Sequence, residues 1–304
     1  MRFRKKGRKL RAFAAPAQTG TAREGAMQRG EYRLTQAERR AWEEDGFFVR
    51  ERALRLDEVA ELCDAAERAV ERASNGVPTE DDYVVDGNRY REAAGSTIQF
   101  EHQPGSETIR VIEPFHHLDP RLDHLIDDPR LVEPMLDLVG DERVALFTDK
   151  LNLKRPYEGS RFRWHQDSPY WAHFFGELHR LPNVMVALDD AHEGNGCFRV
   201  IRGSHRSGLL PGQDGNGTLG PLFTDPSRFD ASAQVLIEAP AGSLIYFSPH
   251  SVHGSQPNRS GQLRRALVIT YQPGGNRMFK VDAKREVGVA TEQAAGRAGR
   301  PVCG

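Results

Sequence analysis

Between Val144 and Tyr271 the chain is a succession of short apolar runs punctuated by Gly, Pro and Asn, and this constrains the fold more than any other feature. Val144-Ala-Leu-Phe147, Asn183-Val-Met-Val-Ala-Leu188 and Leu244-Ile-Tyr-Phe-Ser248 are strand-length segments bounded by turn residues. Such a series indicates an all-β sandwich or barrel. Gly194-Asn-Gly196 reads as a hairpin-type turn before the strand Cys197-Phe-Arg-Val-Ile201, and Gly203-Ser-His205 as a strand end. The stretch from Leu209 to Asp230, rich in Gly, Pro and Asp, reads as a long loop between strands, expected to close over a substrate.

Helices are expected mainly ahead of this β region. Thr35-Gln-Ala-Glu38 is a capping box, and Gly46 is placed to end the helix it opens. Asp57 is the expected cap of a second helix, with Val59, Leu62, Cys63, Ala66 and Val70 on one face and Asn75-Gly76 as its stop. Asp128-Pro129 opens another, burying Val132, Met135, Leu136 and Val139 and ending at Gly140. These read as packing helices that brace a sheet.

Chemistry concentrates in three patches. The first is Arg163-Trp-His165-Gln-Asp167. In an extended strand, positions two apart share a face, so His165 and Asp167 point one way and Gln166 the other. The second patch, Ser248-Pro-His250-Ser-Val-His253-Gly-Ser255, offers two candidates, His250 and His253, for a third ligand. Two His and one carboxylate form a facial triad, which grips one face of a metal ion and leaves the other open for chemistry. The third patch, Gln262-Leu-Arg264-Arg265-Ala-Leu-Val-Ile-Thr-Tyr271, reads as a strand that begins with two guanidinium groups and becomes strongly apolar. An Arg beside a metal cavity binds a carboxylate through two parallel hydrogen bonds. An iron(II) triad with such an Arg suits chelation of a 2-oxoacid.

The order WHQDSPYW, EGNGCFRVIRGSH, HGSQPN and RRALVITY resembles the phytanoyl-CoA dioxygenase family of Fe(II)/2-oxoglutarate oxygenases. The resemblance runs from about Leu34, through Trp42-Glu-Glu-Asp-Gly-Phe-Phe-Val49, to about Tyr271. It implies a mainly β fold with flanking helices, a double-stranded β-helix of the jelly-roll or cupin-like kind. It also implies that His165, Asp167 and His253 bind Fe(2+), His253 being preferred to His250 because Gly254-Ser255 follow it. Arg264, assisted by Ser255 and Asn152, is implied to bind the cosubstrate 2-oxoglutarate. The implied reaction consumes O2, releases succinate and CO2, and hydroxylates an unactivated C–H of a small molecule. Family members that halogenate carry a small residue in place of the acid, and Asp167 is present here. The signature WHQDSPYW departs from that of ectoine hydroxylases. Trp171, Tyr170 and Phe247 are the aromatic residues nearest the motifs, and either line the substrate pocket or belong to the sheet core. His205 is implied to be structural.

A competing reading is a cupin-like metal-binding protein or pseudoenzyme without oxygenase activity, which has no need to keep Arg264 and Ser255 in this arrangement. The 304 residues suffice for one large domain, expected over 31–289, with a disordered basic tail over 1–30 and a flexible tail over 290–304. Met27 is an alternative initiator to Met1. A net charge of −1 gives no footprint for nucleic acid, and no apolar run approaches the ~20 residues of a membrane span. Three scattered cysteines, Cys63, Cys197 and Cys303, form no framework and suit a reducing, cytoplasmic compartment.

Overall fold

The computed structural model describes residues 13–14, 30–74, 79–212 and 218–287. The expected tails over 1–30 and 290–304 lie outside these residues, apart from Phe13–Ala14 and Gly30. In chain order the first strands are β1 (Phe13–Ala14), β2 (Phe47–Glu51), β3 (Thr79–Val85), β4 (Asn88–Ala93), β5 (Ser96–Phe100) and β6 (Ile109–Glu113). They are followed by β7 (Val144–Lys154), β8 (Phe162–His165), β9 (Asn183–Ala187), β10 (Phe198–Ile201) and β11 (Gln234–Ile237). The last are β12 (Leu244–Phe247), β13 (His253–Ser255), β14 (Arg264–Pro273) and β15 (Glu286–Val287). The larger sheet runs β1-β2-β12-β9-β14-β7-β6-β5-β4-β3, with β15 also on β7; the smaller runs β11-β10-β13-β8. The pairings are antiparallel except β1 with β2. This is the expected pair of sheets of a double-stranded β-helix.

The central strands of the larger sheet are buried on both faces, which is why their sequences are continuously apolar. Val184 and Val186 of β9, Leu244 and Tyr246 of β12, and Leu267, Ile269 and Tyr271 of β14 pack into the core on the helix side. Their alternates, Met185, Ala187, Ile245, Phe247, Ala266 and Val268, meet Phe198 and Val200 of the smaller sheet. The period of two therefore decides which residues look into the sandwich.

The helices brace the outer face as expected. α1 (Gln36–Asp45) carries the complete Thr35–Glu38 capping box and ends at Gly46, whose φ of 84° is left-handed. α2 (Leu56–Ser74) buries Val59, Leu62 and Ala66, but Asp57 lies inside its first turn rather than at the cap. Asp57 binds the Arg55 side chain at 3.0 Å, while Glu58 accepts the Arg55 backbone N–H at 2.8 Å. The expected stop at Asn75-Gly76 lies outside the described residues. α3 (Pro120–Ile126) uses the same device as α4 (Pro129–Val139), an Asp cap followed by Pro; α4 ends at Gly140 as expected.

Two further differences have clear causes. Gly194-Asn-Gly196 is not a hairpin turn: the 3-10 turn Glu193–Asn195 leads from β9 in one sheet to β10 in the other. Gly196 is required there, because its φ is 76° and a Cβ would lie 2.3 Å from the Gln256 carbonyl oxygen. The strands β3–β5 extend the larger sheet through two tight turns, Asp86-Gly87 and Ala94-Gly95, with positive φ at all four residues. The segment between β10 and β11 crosses the end of β8, where Phe223 bridges His165 and the Thr224 N–H donates to the Trp164 carbonyl at 2.9 Å.

Candidate metal and cosubstrate centre

β8 and β13 are neighbours in the smaller sheet, with His165 directly opposite His253. β8 ends at His165, so Asp167 is not a strand residue: it has helical φ and ψ and precedes the short helix α5 (Ser168–Trp171). The backbone N–H groups of Asp167 and Ser168 both donate to the Pro249 carbonyl at 3.1 Å, and this fixes the turn. Gln166 points away from the two candidate ligands, fully buried, with its amide bound to the carbonyls of Gly208 and His250 at 2.8 and 2.6 Å. Asp167 Oδ1 lies 3.9 Å from His165 Nε2, and Oδ2 lies 3.9 Å from His253 Nε2. One donor atom from each of the three lies within 4.8 Å of the others. His250 is elsewhere, with its Nδ1 2.7 Å from the Ser168 hydroxyl. His205 is also elsewhere, near the Glu43 carbonyl at 3.1 Å.

The surroundings suit a cation. His165 Nδ1 donates to the Arg163 carbonyl at 2.7 Å and His253 Nδ1 to the Ser251 carbonyl at 3.0 Å, which turns both Nε2 lone pairs toward Asp167. Burial, reinforced by the neighbouring His253, pushes the His165 imidazole down to about 3, so it is neutral and ligand-ready. Asp167 is oriented in turn: Asn183 Nδ2 donates to its Oδ2 at 3.0 Å, and the Thr270 hydroxyl donates to Asn183 Oδ1 at 2.6 Å. Nothing local in the sequence marked Asn183 or Thr270; they follow from their register pairing on β9 and β14.

Behind the triad, Arg264 and Arg265 part company through strand alternation. Arg265 faces the helices, bound to Asp189 at 2.8 Å and Glu67 at 3.0 Å. Arg264 faces the sandwich interior with 4 % of its surface exposed, and among the described residues its guanidinium hydrogen-bonds only the Met185 sulfur, at 3.6 Å. Burial without a carboxylate partner pushes it down to about 10. Ser255 on β13 is also buried, and its hydroxyl has no hydrogen-bond partner among the described residues. Asn152 lies on β7 opposite Ala266, hence on the interior face. A buried unpaired cation and an orphaned hydroxyl are costly unless a ligand completes them. The donor set therefore fits a divalent metal, and the interior behind it fits a carboxylate.

The three aromatic candidates differ in position. The Tyr170 ring lies 6.1 Å from that of His165, edge-on. Phe247 packs 5.0 Å from His253 and 4.9 Å from Phe198, inside the sandwich. Trp171 is 1 % exposed in a cluster with Phe147, Leu181 and Phe279.

A double-stranded β-helix with a convergent His-Asp-His group and a buried guanidinium in its interior fits the class of iron- and 2-oxoglutarate-dependent oxygenases. The sequence pattern of phytanoyl-CoA dioxygenase (PhyH) matches residues 42–266. The ectoine dioxygenase of Bordetella parapertussis is 30 % identical over 248 residues, covering 76 % of this chain and 73 % of that protein. The L-proline trans-4-hydroxylase of Streptomyces griseoviridis is 28 % identical over 186 residues, covering 56 % of this chain and 69 % of that protein. The crystal structure of EctD from S. alaskensis in its apoform superposes with a TM-score of 0.61 at 25 % identity, covering 84 % of this chain and 82 % of that one. The chain belongs to the phytanoyl-CoA dioxygenase family, and its activity is that of an Fe(II)- and 2-oxoglutarate-dependent dioxygenase acting on a small molecule.

Proposed function

We propose that His165, Asp167 and His253 hold Fe(II), that Arg264 with Ser255 and Asn152 holds 2-oxoglutarate, and that the enzyme hydroxylates a C–H bond of a small molecule presented beside Tyr170. The observation that carries this reading is the pairing of the convergent donor set with a buried guanidinium that has no carboxylate of its own. A metal-binding protein without oxygenase activity gains nothing from that uncompensated charge. Bound iron would supply O2 activation coupled to decarboxylation of the oxoacid. The chain's own residues position and shield. The Arg163 and Ser251 carbonyls hold the imidazoles in one tautomer, and Asn183 holds the carboxylate. Arg264 neutralises the far carboxylate of the cosubstrate, while Met185, Phe198 and Phe247 keep the interior dry. Tyr170 and Phe247 are placed to contact substrate; Trp171 would act from behind, through its packing on Phe147 at 5.2 Å.

The domain is proposed to span 31–289 between tails, and the compartment to be reducing, in keeping with free thiols at Cys63 and Cys197. No described helix is long and apolar enough to cross a membrane. The test is anaerobic Fe(II) titration of the purified protein and of His165→Ala, Asp167→Ala, His253→Ala and His250→Ala. Binding should weaken severely in the first three and persist in the fourth. Loss of binding in His250→Ala, with retention in His253→Ala, would overturn the ligand assignment.

A further inference from the structure

Among the described residues three arginines are buried to 4 % exposure or less: Arg50, Arg110 and Arg264. Arg50 is matched by Glu38 at 2.7 Å. Arg264 has the role proposed above. Arg110 stands in the same electrostatic position as Arg264, and nothing so far accounts for it.

Arg110 is the extra residue of a β-bulge: Gln99 pairs with Val111 and Phe100 with Ile109, which leaves Arg110 unopposed. In such a bulge the extra side chain departs from strict alternation. Here the guanidinium lies 3.9 Å over the Phe162 ring, at the start of the strand that ends in His165. Its Nη2 donates to the Arg161 carbonyl at 2.7 Å, Nη1 lies 2.6 Å from His102 Nε2, and Nε is buried with no hydrogen-bond partner among the described residues. His102 is neutral, since burial and Arg110 itself push it down to about 4. The Glu101 carboxylate supports the charge of Arg110 without a hydrogen bond to it: its two oxygens accept the Ser160 N–H instead, at 3.1 and 3.2 Å. Among the described residues, every hydrogen-bond partner of Arg110 is therefore uncharged. The Tyr170 and Tyr90 hydroxyls share its electrostatic neighbourhood, and the Tyr170 ring lies 6.1 Å from that of His165. In the proposed site, 2-oxoglutarate would spend one carboxylate on the metal and the other on Arg264, and so would leave Arg110 without an anionic partner.

We propose that Arg110 is the receptor for an oxyanion group of the substrate, so that the molecule hydroxylated is a small carboxylate or phosphonate rather than a neutral or purely cationic compound. This rests on the iron and 2-oxoglutarate reading, and names the substrate class of that same site. The oxyanion would complete the guanidinium fork and leave the rest of the substrate directed past Tyr170 toward the open face of the metal.

The test uses the anaerobic enzyme saturated with Fe(II) and 2-oxoglutarate, with the visible metal-to-cosubstrate charge-transfer band followed throughout. Acetate, methylphosphonate and the uncharged acetamide are titrated as probes by calorimetry. The wild type should bind both oxyanions and not acetamide. Arg110→Gln should weaken oxyanion binding about ten- to a hundredfold, as loss of a charged hydrogen bond does, with partial recovery in Arg110→Lys and the band retained in both. Equal binding of acetate and acetamide, or no oxyanion binding with a normal band, overturns the proposal and leaves the iron reading intact. Loss of the band in Arg110→Gln, with folding unchanged by circular dichroism, assigns Arg110 to the cosubstrate instead and also overturns it. Absence of the band in wild type overturns both. The wild-type probe comparison does not depend on how any variant folds.

Discussion

Asn183 offers the sharpest perturbation of the metal centre without touching a ligand. It is fully buried, with its amide nitrogen 3.0 Å from Asp167 Oδ2 and its oxygen 2.6 Å from the Thr270 hydroxyl. Leucine keeps the branching at Cγ, with bulkier methyl groups, and abolishes both hydrogen bonds. In Asn183→Leu, one Asp167 oxygen and the Thr270 hydroxyl lose partners in a dry interior. Each such loss costs about 1–3 kcal/mol, so the metal-free protein should lose roughly 2–6 kcal/mol of stability. The carboxylate also becomes free to turn, and removing an orienting partner of this kind typically costs about 10–100-fold in metal affinity. Thr270→Val, which cuts only the outer link, should shift both quantities in the same direction by less. Urea unfolding of the apo protein gives the first quantity, and anaerobic Fe(II) or Mn(II) titration by calorimetry gives the second. If folded Asn183→Leu binds metal within about twofold of wild type, the relay from Thr270 through Asn183 to Asp167 does not position the ligand.

Two further outcomes separate the structural from the functional charges. Arg264→Gln should raise the KM for 2-oxoglutarate about ten- to a hundredfold while leaving the unfolding midpoint unchanged or higher, because it removes an uncompensated buried charge. Arg265→Gln should do the reverse, lowering stability by stranding Asp189 and leaving the KM near wild type; identical phenotypes would refute the strand-alternation argument. Lys154 is fully buried, donating to the Ser160 and Gln256 carbonyls at 2.6 and 2.7 Å. Burial, reinforced by Arg264 and Arg110 and opposed by Glu101 and Cys197, pushes its ammonium down to about 6. The unfolded chain keeps that proton up to the ordinary 10.5, so it binds more protons than the folded chain across this window, and stability rises with pH. Relative to Lys154→Met, the wild type should gain up to about 1.4 kcal/mol per pH unit between pH 6 and 9 in urea unfolding, and a flat difference would refute the assignment.

What the sequence disclosed follows from the range of the signal. The apolar runs and the caps at Thr35, Asp128 and Gly140 are local, and the structure reproduces them. His165 and Asp167 were recognisable as a pair, although strand alternation was the wrong reason: β8 stops at His165, and a turn tied to Pro249 brings Asp167 round. The β3–β5 extension carried a readable sign in Asp86-Gly87, but β3 and β4 are rich in charge and lack the apolar alternation of a half-buried strand. Asn183, Thr270 and Arg110 were silent, because each acquires its role from pairing register or a bulge, which no single segment encodes. Spacing alone did not separate Arg264 from Arg265; the family resemblance pointed to Arg264, and the register of β14 supplies the physical difference, one inside and one outside.

The central claim is that iron and 2-oxoglutarate meet at His165, Asp167, His253 and Arg264. Anaerobic addition of Fe(II) and then 2-oxoglutarate to the purified protein, with the visible spectrum recorded, tests it most directly. A weak charge-transfer band should develop in wild type, be lost in His253→Ala, and require far more 2-oxoglutarate in Arg264→Gln. A folded wild-type protein that binds Fe(II) yet gives no band at saturating 2-oxoglutarate would contradict the account.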